Sequence, residues 1–177
     1  VVAEVEELME RGVREVTLLG QTVNAYQDGG MSFGGLLWKV AETGIPRIRF
    51  TSPHPVYYRE DEIEAIAERD AVCEWVHLPV QSGNTEVLGR MERGYSREEY
   101  LDIVSRIRDR VPDVTVTTDI IVGFPGETEA QFEDTISLME ACAFDGGYLF
   151  KYSPREGTRA AREFPDDVPE AVKQERL

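Results

Sequence analysis

The chain has 177 residues, of which 41% are hydrophobic, a composition typical of one globular domain and unlike that of a disordered protein. Its 34 acidic and 19 basic residues give a net charge of −15, which argues on charge alone against a nucleic-acid-binding segment. No window contains the roughly 18 consecutive apolar residues of a membrane span, so we expect a cytoplasmic protein without membrane contact.

Helical and strand patterns alternate along the chain. A first helix has Val1, Val5, Leu8 and Met9 on one face and ends at Gly12. Further helices are predicted at residues 33–42, 63–67, 96–107 and 128–141. Strands are predicted at residues 15–19, 47–51, 75–80, 114–122 and 147–152. This alternation predicts an α/β fold with parallel strands, right-handed crossovers and helices outside the sheet.

Residues 114–128, VTVTTDIIVGFPGET, form the most informative segment. The apolar residues of this strand predict burial on both of its faces, which makes Asp119 unusual there. Gly123 and Gly126 predict a turn, and Thr128 with Gln131 predicts a capping box for the next helix. Since α/β sheets bind ligands at the carboxyl ends of their strands, a ligand should lie across this turn.

All five predicted strands end in polar or glycine-containing loops. These loops read GQTVN (20–24), SPHP (52–55), QSGN (81–84), the segment from Asp119 with GFPGE (123–127), and YSPR (152–155). Turn chemistry explains some of this composition. The residues Asp119, Gln81 and Gln21 are harder to explain as turn formers, and we therefore predict one shared site.

The remaining reactive and aromatic residues favour structural roles. Cys73 and Cys142 are far apart and lack ligand-type spacing, so both are predicted to be buried thiols and no metal site is expected. His54, between two prolines, is interpreted as a turn residue and His77 as a core residue. Core positions are also predicted for four aromatic residues: Trp38, Trp75, Phe144 and Phe150.

Six segments in order resemble the radical S-adenosylmethionine core of the methylthiotransferase family. They are LLGQTVNAY (18–26), RIRFTSPHP (47–55), HLPVQSGN (77–84), MERGYS (91–96), TDIIVGFPGET (118–128) and FKYSPREGT (150–158). The resemblance covers essentially the whole chain. GQTVNAY and SPHP set it apart from the family branch that modifies a ribosomal protein and favour the branch that acts on tRNA.

The resemblance implies strands two to six of a six-stranded partial barrel, making residues 1–177 a partial radical SAM core. The family holds a [4Fe-4S] cluster with a CxxxCxxC triplet, and this chain has no such triplet. We expect the first strand with its cluster loop, an N-terminal domain with a second cluster and a C-terminal RNA-binding module to lie outside this sequence. The chain alone is therefore predicted to bind no cluster and to be inactive.

The resemblance also implies roles for individual residues in binding S-adenosylmethionine. Residues near the methionyl or ribose part would be Gly20, Gln21, Ser52, Gln81 and Ser82. Arg93 would pair with the cofactor carboxylate, Asp119 would accept hydrogen bonds from the ribose hydroxyls, and Val122 and Gly123 would offer backbone to the adenine. Tyr152 and Arg155 would border the RNA. The alternatives are a solvated charge for Arg93 and a buried acid or helix cap for Asp119.

The activity implied is addition of a methylthio group to C2 of N6-isopentenyladenosine beside the anticodon of tRNA. It requires S-adenosylmethionine, iron–sulfur clusters and an electron donor. Two alternatives stay open at this point: methylthiolation of threonylcarbamoyl-adenosine or of a ribosomal protein, and, in a different class, a non-catalytic α/β binding module.

Overall fold

The computed structural model describes residues 1–177, which form two compact units. The first unit comprises Val1–Leu78 and Ile103–Val116, and the second comprises Pro79–Asp102 and Thr117–Leu177. The α-helices are α1 (Val2–Glu10), α2 (Phe33–Glu42), α3 (Glu60–Glu68), α4 (Thr85–Arg90), α5 (Arg97–Arg110), α6 (Glu129–Cys142), α7 (Arg159–Glu163) and α8 (Glu170–Arg176). The strands are β1 (Glu15–Leu18), β2 (Arg47–Phe50), β3 (Trp75–His77), β4 (Thr115–Val122) and β5 (Gly146–Lys151).

In the first unit, β1 and β2 pair in parallel, with Glu15 opposite Arg47 and Leu18 opposite Phe50. Helix α2 begins at Ser32, whose hydroxyl accepts a hydrogen bond from the Gly35 amide at 3.1 Å. The packing of α2 on β2 includes an edge-to-face contact between Phe33 and Phe50, with ring centroids 5.3 Å apart. These buried apolar residues form the core that fixes the carboxyl ends of β1 and β2.

In the second unit, β4 and β5 pair in parallel from Thr117 opposite Gly146 to Val122 opposite Lys151. Both predicted capping boxes are confirmed. Thr128 and Gln131 cap α6 reciprocally, and at the start of α5 the Ser96 amide donates to Glu99 while the Glu99 amide donates to Ser96. These caps satisfy amide groups that the first turn of a helix leaves without partners.

The α/β architecture with parallel pairing is confirmed, but the strands form two sheets with the orders β1-β2 and β3-β4-β5. Between β2 and the segment before β3 only one bridge remains, Ile48 with Val72. No pairing closes these sheets into a barrel. Strand β3 ends at His77, earlier than predicted, because Pro79 has no amide hydrogen and the Val80 amide donates to the Thr118 hydroxyl at 3.0 Å.

The sequence patterns missed three short helices, α4, α7 and α8. The start of α4 has a recognisable signal, since the Asn84 side chain accepts hydrogen bonds from the amides of Glu86 and Val87. The start of α8 carries no such signal, because Pro169 precedes the helix and makes no side-chain cap hydrogen bond. Its position depends on contacts with residues distant in sequence, described below.

Strand β5 is exposed along most of its length, including Tyr148, Leu149 and Phe150. The prediction of a core position is therefore wrong for Phe150, which is 51% exposed. Trp38, Trp75 and Phe144 are half-buried. Cys142 is buried as predicted, whereas Cys73 is only half-buried. No helix in the structure has both the length and the apolar character required to cross a bilayer.

Candidate functional site

The second unit contains a cavity of about 500 Å³ at the carboxyl ends of β4 and β5. Its lining includes five of the residues singled out in the sequence: Gln81, Arg93, Asp119, Tyr152 and Arg155. Phe124 and Phe150 add aromatic surface to the same walls. The volume lies within the range of sites that hold small molecules and cofactors.

Asp119 reaches this cavity because of the alternation of side chains along β4. Thr118, Ile120 and Val122 are buried on one face, whereas Asp119 and Ile121 lie on the half-exposed face. The expectation that β4 is buried on both faces is therefore wrong. An acid on the half-exposed face is desolvated less than a core carboxylate would be, although the Oδ1 atom of Asp119 is shielded from solvent.

Gln81 is held beside Asp119 by two backbone hydrogen bonds to β4. Its amide donates to the Asp119 carbonyl at 2.8 Å, and its carbonyl accepts from the Ile121 amide at 2.9 Å. Its φ is 72°, in the left-handed region that a residue with a Cβ adopts at a cost of about 1–3 kcal/mol. Such strain persists where surrounding contacts enforce it, and it concentrates at ligand sites.

Arg93 follows a second strained residue, Glu92, with a φ of 56°. The Arg93 amide donates to the Leu88 carbonyl at 3.0 Å, which fixes this loop at the end of α4. An ion pair between Glu92 and Arg159 holds the same loop to the start of α7. Arg93 lines the cavity from this loop, and a planar guanidinium suits a ligand carboxylate.

Three predicted binding residues of this unit do not line the cavity: Ser82, Val122 and Gly123. Ser82 is completely buried, and its hydroxyl accepts from the Asn84 amide at 3.3 Å. The Val122 carbonyl accepts from the Tyr152 amide, and the Gly123 amide donates to Glu127 at 2.7 Å. The Val122 carbonyl and the Gly123 amide thus each have a hydrogen-bond partner within the protein.

The first unit carries the other three predicted residues, Gly20, Gln21 and Ser52. Gly20 lines a cleft of about 610 Å³ beside β1, and Gln21 and Ser52 are exposed. Ser52 has a φ of 60°, and its carbonyl accepts from the Val23 amide at 3.3 Å. The two loops that contain these residues are thus tied to each other within the unit.

Asn24, which the sequence analysis did not select, is the main link between these two loops. Its side chain donates to the His54 carbonyl at 3.1 Å and accepts from the His54 amide at 2.8 Å. It also donates to Glu62, a fully buried residue of α3. His54 is a turn residue as predicted, since its ring accepts from the Val56 amide. His77 is stacked on Trp75 and is only half-buried, so it is not a core residue.

Burial raises the pKa of Glu62 to about 9, although the hydrogen bond from Asn24 opposes the shift. The folded chain therefore keeps a proton on Glu62 that the unfolded chain releases above about pH 4.5. Between pH 4.5 and about pH 9, rising pH therefore lowers the stability of the folded chain. The Glu62→Gln variant should match the wild type below pH 4.5 and be more stable by on the order of 3 kcal/mol at pH 7.

Urea unfolding of both proteins at several pH values measures this difference. The Glu64→Gln variant changes an exposed carboxyl of the same helix and should differ little from the wild type in its free energy of unfolding. If the difference in free energy of unfolding between Glu62→Gln and the wild type does not change with pH, the pKa of Glu62 is the same in the folded and unfolded chains. That result would contradict the effect of burial on Glu62.

Comparison with known proteins identifies the family. Residues 1–139 match the model of the Radical SAM superfamily. The chain belongs to this superfamily. Among solved structures, coproporphyrinogen III oxidase from Escherichia coli, described as a radical SAM enzyme, is similar to 98% of this chain and 42% of its own, with a TM-score of 0.70 and 17% identity. This likeness supports the fold.

Two relatives are similar over the entire chain, and both are named tRNA-2-methylthio-N(6)-dimethylallyladenosine synthase. The protein from Thermus thermophilus is 52% identical over 180 residues, and that from Deinococcus radiodurans is 50% identical over 184 residues. The chain spans only 38% and 36% of their respective lengths. This radical SAM chain thus corresponds to a little over a third of the length of each relative.

The two kinds of cofactor used by this superfamily differ in their fit to the chain. The cavity of the second unit offers a carboxylate, a guanidinium, an amide and aromatic rings, which suit a nucleoside that carries a charged amino acid. No group of three or more His, Cys, Asp or Glu side chains is placed to hold a metal ion. The residues of this chain therefore do not fit an iron–sulfur cluster.

Proposed function

We propose that this chain is the S-adenosylmethionine-binding core of a tRNA methylthiotransferase, which adds a methylthio group to C2 of N6-isopentenyladenosine beside the anticodon. The observation that carries this proposal is the identity of about half, over the whole chain, with relatives named for that activity. Because the chain spans a minor part of those relatives, the activity belongs to the full-length protein. That protein would act in the cytoplasm and would require an electron donor and iron–sulfur clusters held by other segments.

The second unit would bind the cofactor through three side chains of the cavity. Arg93 would hold the cofactor carboxylate, Asp119 would accept hydrogen bonds from the ribose hydroxyls, and Gln81 would contact the methionyl or ribose part. When bound, S-adenosylmethionine supplies the radical chemistry that this superfamily uses. The protein side chains orient it and exclude water. In the same unit, Val122 and Gly123 would offer backbone to the adenine, and Ser82 would support Gln81.

Tyr152 and Arg155 would border the RNA, because they line the same cavity at the end of β5. Arg155 is exposed, whereas Lys151 on the same rim is ion-paired with Glu170. On a chain of net charge −15, Arg155 would offer a cation to an RNA phosphate at the mouth of the site. The bulk of the tRNA affinity would come from the RNA-binding segment of the full-length protein.

Nucleoside analysis of tRNA tests this function. The full-length protein is expressed in a strain that lacks its own synthase, and digested tRNA is examined by mass spectrometry. We expect N6-isopentenyladenosine to be converted to its 2-methylthio derivative, and an Asp119→Ala variant to reduce the conversion. Methylthiolation of threonylcarbamoyl-adenosine or of a ribosomal protein instead would assign a different substrate, and no modification of any of the three would overturn the proposal.

A further inference from the structure

The turn from Gly123 to Glu127 is held from behind by helix α8, which lies some 50 residues later in the chain. Arg176 of α8 is 9% exposed and donates to both the carbonyl and the carboxylate of Glu127, at 3.3 and 2.9 Å. Glu127 is 5% exposed, and the same carboxylate oxygen accepts from the Gly123 amide at 2.7 Å. Arg176 and Gly123 are therefore connected through a single oxygen atom.

Lys173 makes a second, independent contact between α8 and this turn. It is 3% exposed, and a Cβ added to Gly123 would lie 2.4 Å from its Cγ. Its ammonium pairs with Asp166 and donates to the Tyr152 carbonyl at 3.4 Å. Its stem thus packs on the turn after β4, and its charged end holds the residue that follows β5.

Both contacts affect the walls of the cavity. Phe124 lies inside the turn, and Tyr152 lies at the end of β5; both line the cavity, and their ring centroids are 5.1 Å apart. The Tyr152 amide donates to the Val122 carbonyl at 2.8 Å, which links the two strand ends directly. Loss of either α8 contact would let this aromatic pair move.

A buried ion pair is a weak source of stability, because desolvation of two charges offsets much of their attraction. The contacts of Arg176 and Lys173 fix the backbone of the turn in one position. This positioning explains the buried charges better than a gain in stability does. We infer that Arg176 and Lys173 are positioning residues, through which α8 sets the nucleoside-binding wall for S-adenosylmethionine. This inference rests on the proposed function, because it takes the cavity to be the cofactor site.

The test uses the full-length, cluster-reconstituted enzyme and calorimetric titration of S-adenosylmethionine. Arg176→Met and Lys173→Met should each raise the Kd about tenfold, or about 1.4 kcal/mol, because a displaced wall loses part of its contact with the cofactor. The KM for the cofactor should rise by the same factor. The kcat at saturating cofactor should stay within about twofold, because the reacting atoms are not touched. Arg162→Met, which changes an exposed arginine of α7, should leave both constants unchanged.

The Arg176→Met change leaves the Glu127 charge buried, so the single variant could fail to fold. The double variant Glu127→Gln/Arg176→Met removes both charges, so it can be measured even if the single variant does not fold. Its Kd for the cofactor should be raised as much as that expected for Arg176→Met. Unchanged Kd values in folded variants with lowered Tm would show that α8 is only structural. If the wild type itself does not bind S-adenosylmethionine, the proposed function fails, and the positioning role fails with it.

Discussion

Replacing Asp119 by alanine in the full-length, cluster-loaded enzyme should weaken S-adenosylmethionine binding about ten- to a hundredfold. This corresponds to about 1.5–3 kcal/mol, the range for hydrogen bonds to a charged group. The side chain lies on the half-exposed face of β4 and lines the cavity, so its loss leaves no hole in the core. Calorimetric titration of cofactor into wild type and variant at equal cluster content gives the difference.

Two further variants control this experiment. Asp113→Ala removes an exposed carboxylate shortly before β4 and should change neither affinity nor stability. Asp119→Asn keeps the shape of the side chain and one acceptor oxygen, so its affinity should lie between those of wild type and alanine variant. A large loss of thermal stability with unchanged cofactor affinity would make Asp119 a structural residue and remove it from the proposed site.

Replacing Gly83 by alanine should strongly destabilise the folded chain. A Cβ at this position would lie 2.4 Å from the Thr135 Cα and 2.5 Å from the Asp134 carbonyl oxygen. Both atoms are backbone of α6 and cannot rotate away. The Gly83 amide also donates to the Thr135 hydroxyl at 2.9 Å, so the loop and the helix would have to separate. We expect a loss of about 3 kcal/mol in the free energy of unfolding, measured in urea.

Gly89→Ala is the matched control, because it makes the same chemical change in the same unit. Gly89 lies within α4, and a Cβ there would meet no atom within 4 Å. Alanine should therefore stabilise the chain by about 0.5–1 kcal/mol, through its higher helix propensity. Equal effects of the two substitutions would contradict the close approach of the Gly83 loop to α6.

The sequence predicted best those features that depend on short segments. The two capping boxes and helix α2 were found because their signals lie within a few residues of each other. The selection of Gln81, Arg93 and Asp119 followed from their positions at strand and loop ends, and the structure places all three on one cavity. The roles of these residues toward a cofactor stay proposals that the binding experiments test.

The features missed by the sequence analysis depend on contacts between distant segments. Glu62 reads as an ordinary helix acid, because nothing near it in the sequence shows that Asn24 meets it inside the first unit. Arg176 likewise reads as a solvated charge near the end of a polar segment, and only the fold reveals its pairing with Glu127. The burial of β4 was misjudged because an apolar run does not show which face is covered.

The left-handed backbone of Ser52 and Gln81 has a consequence for selection experiments. Glycine adopts these φ values without steric cost, so a library screened only for heat resistance should enrich glycine at both positions. A library screened for tRNA modification should retain the side chains, since the proposed cofactor contacts need them. Residues 52 and 81 are therefore positions where selection for heat resistance alone would lower catalytic activity, and each should be held fixed when a more durable enzyme is sought.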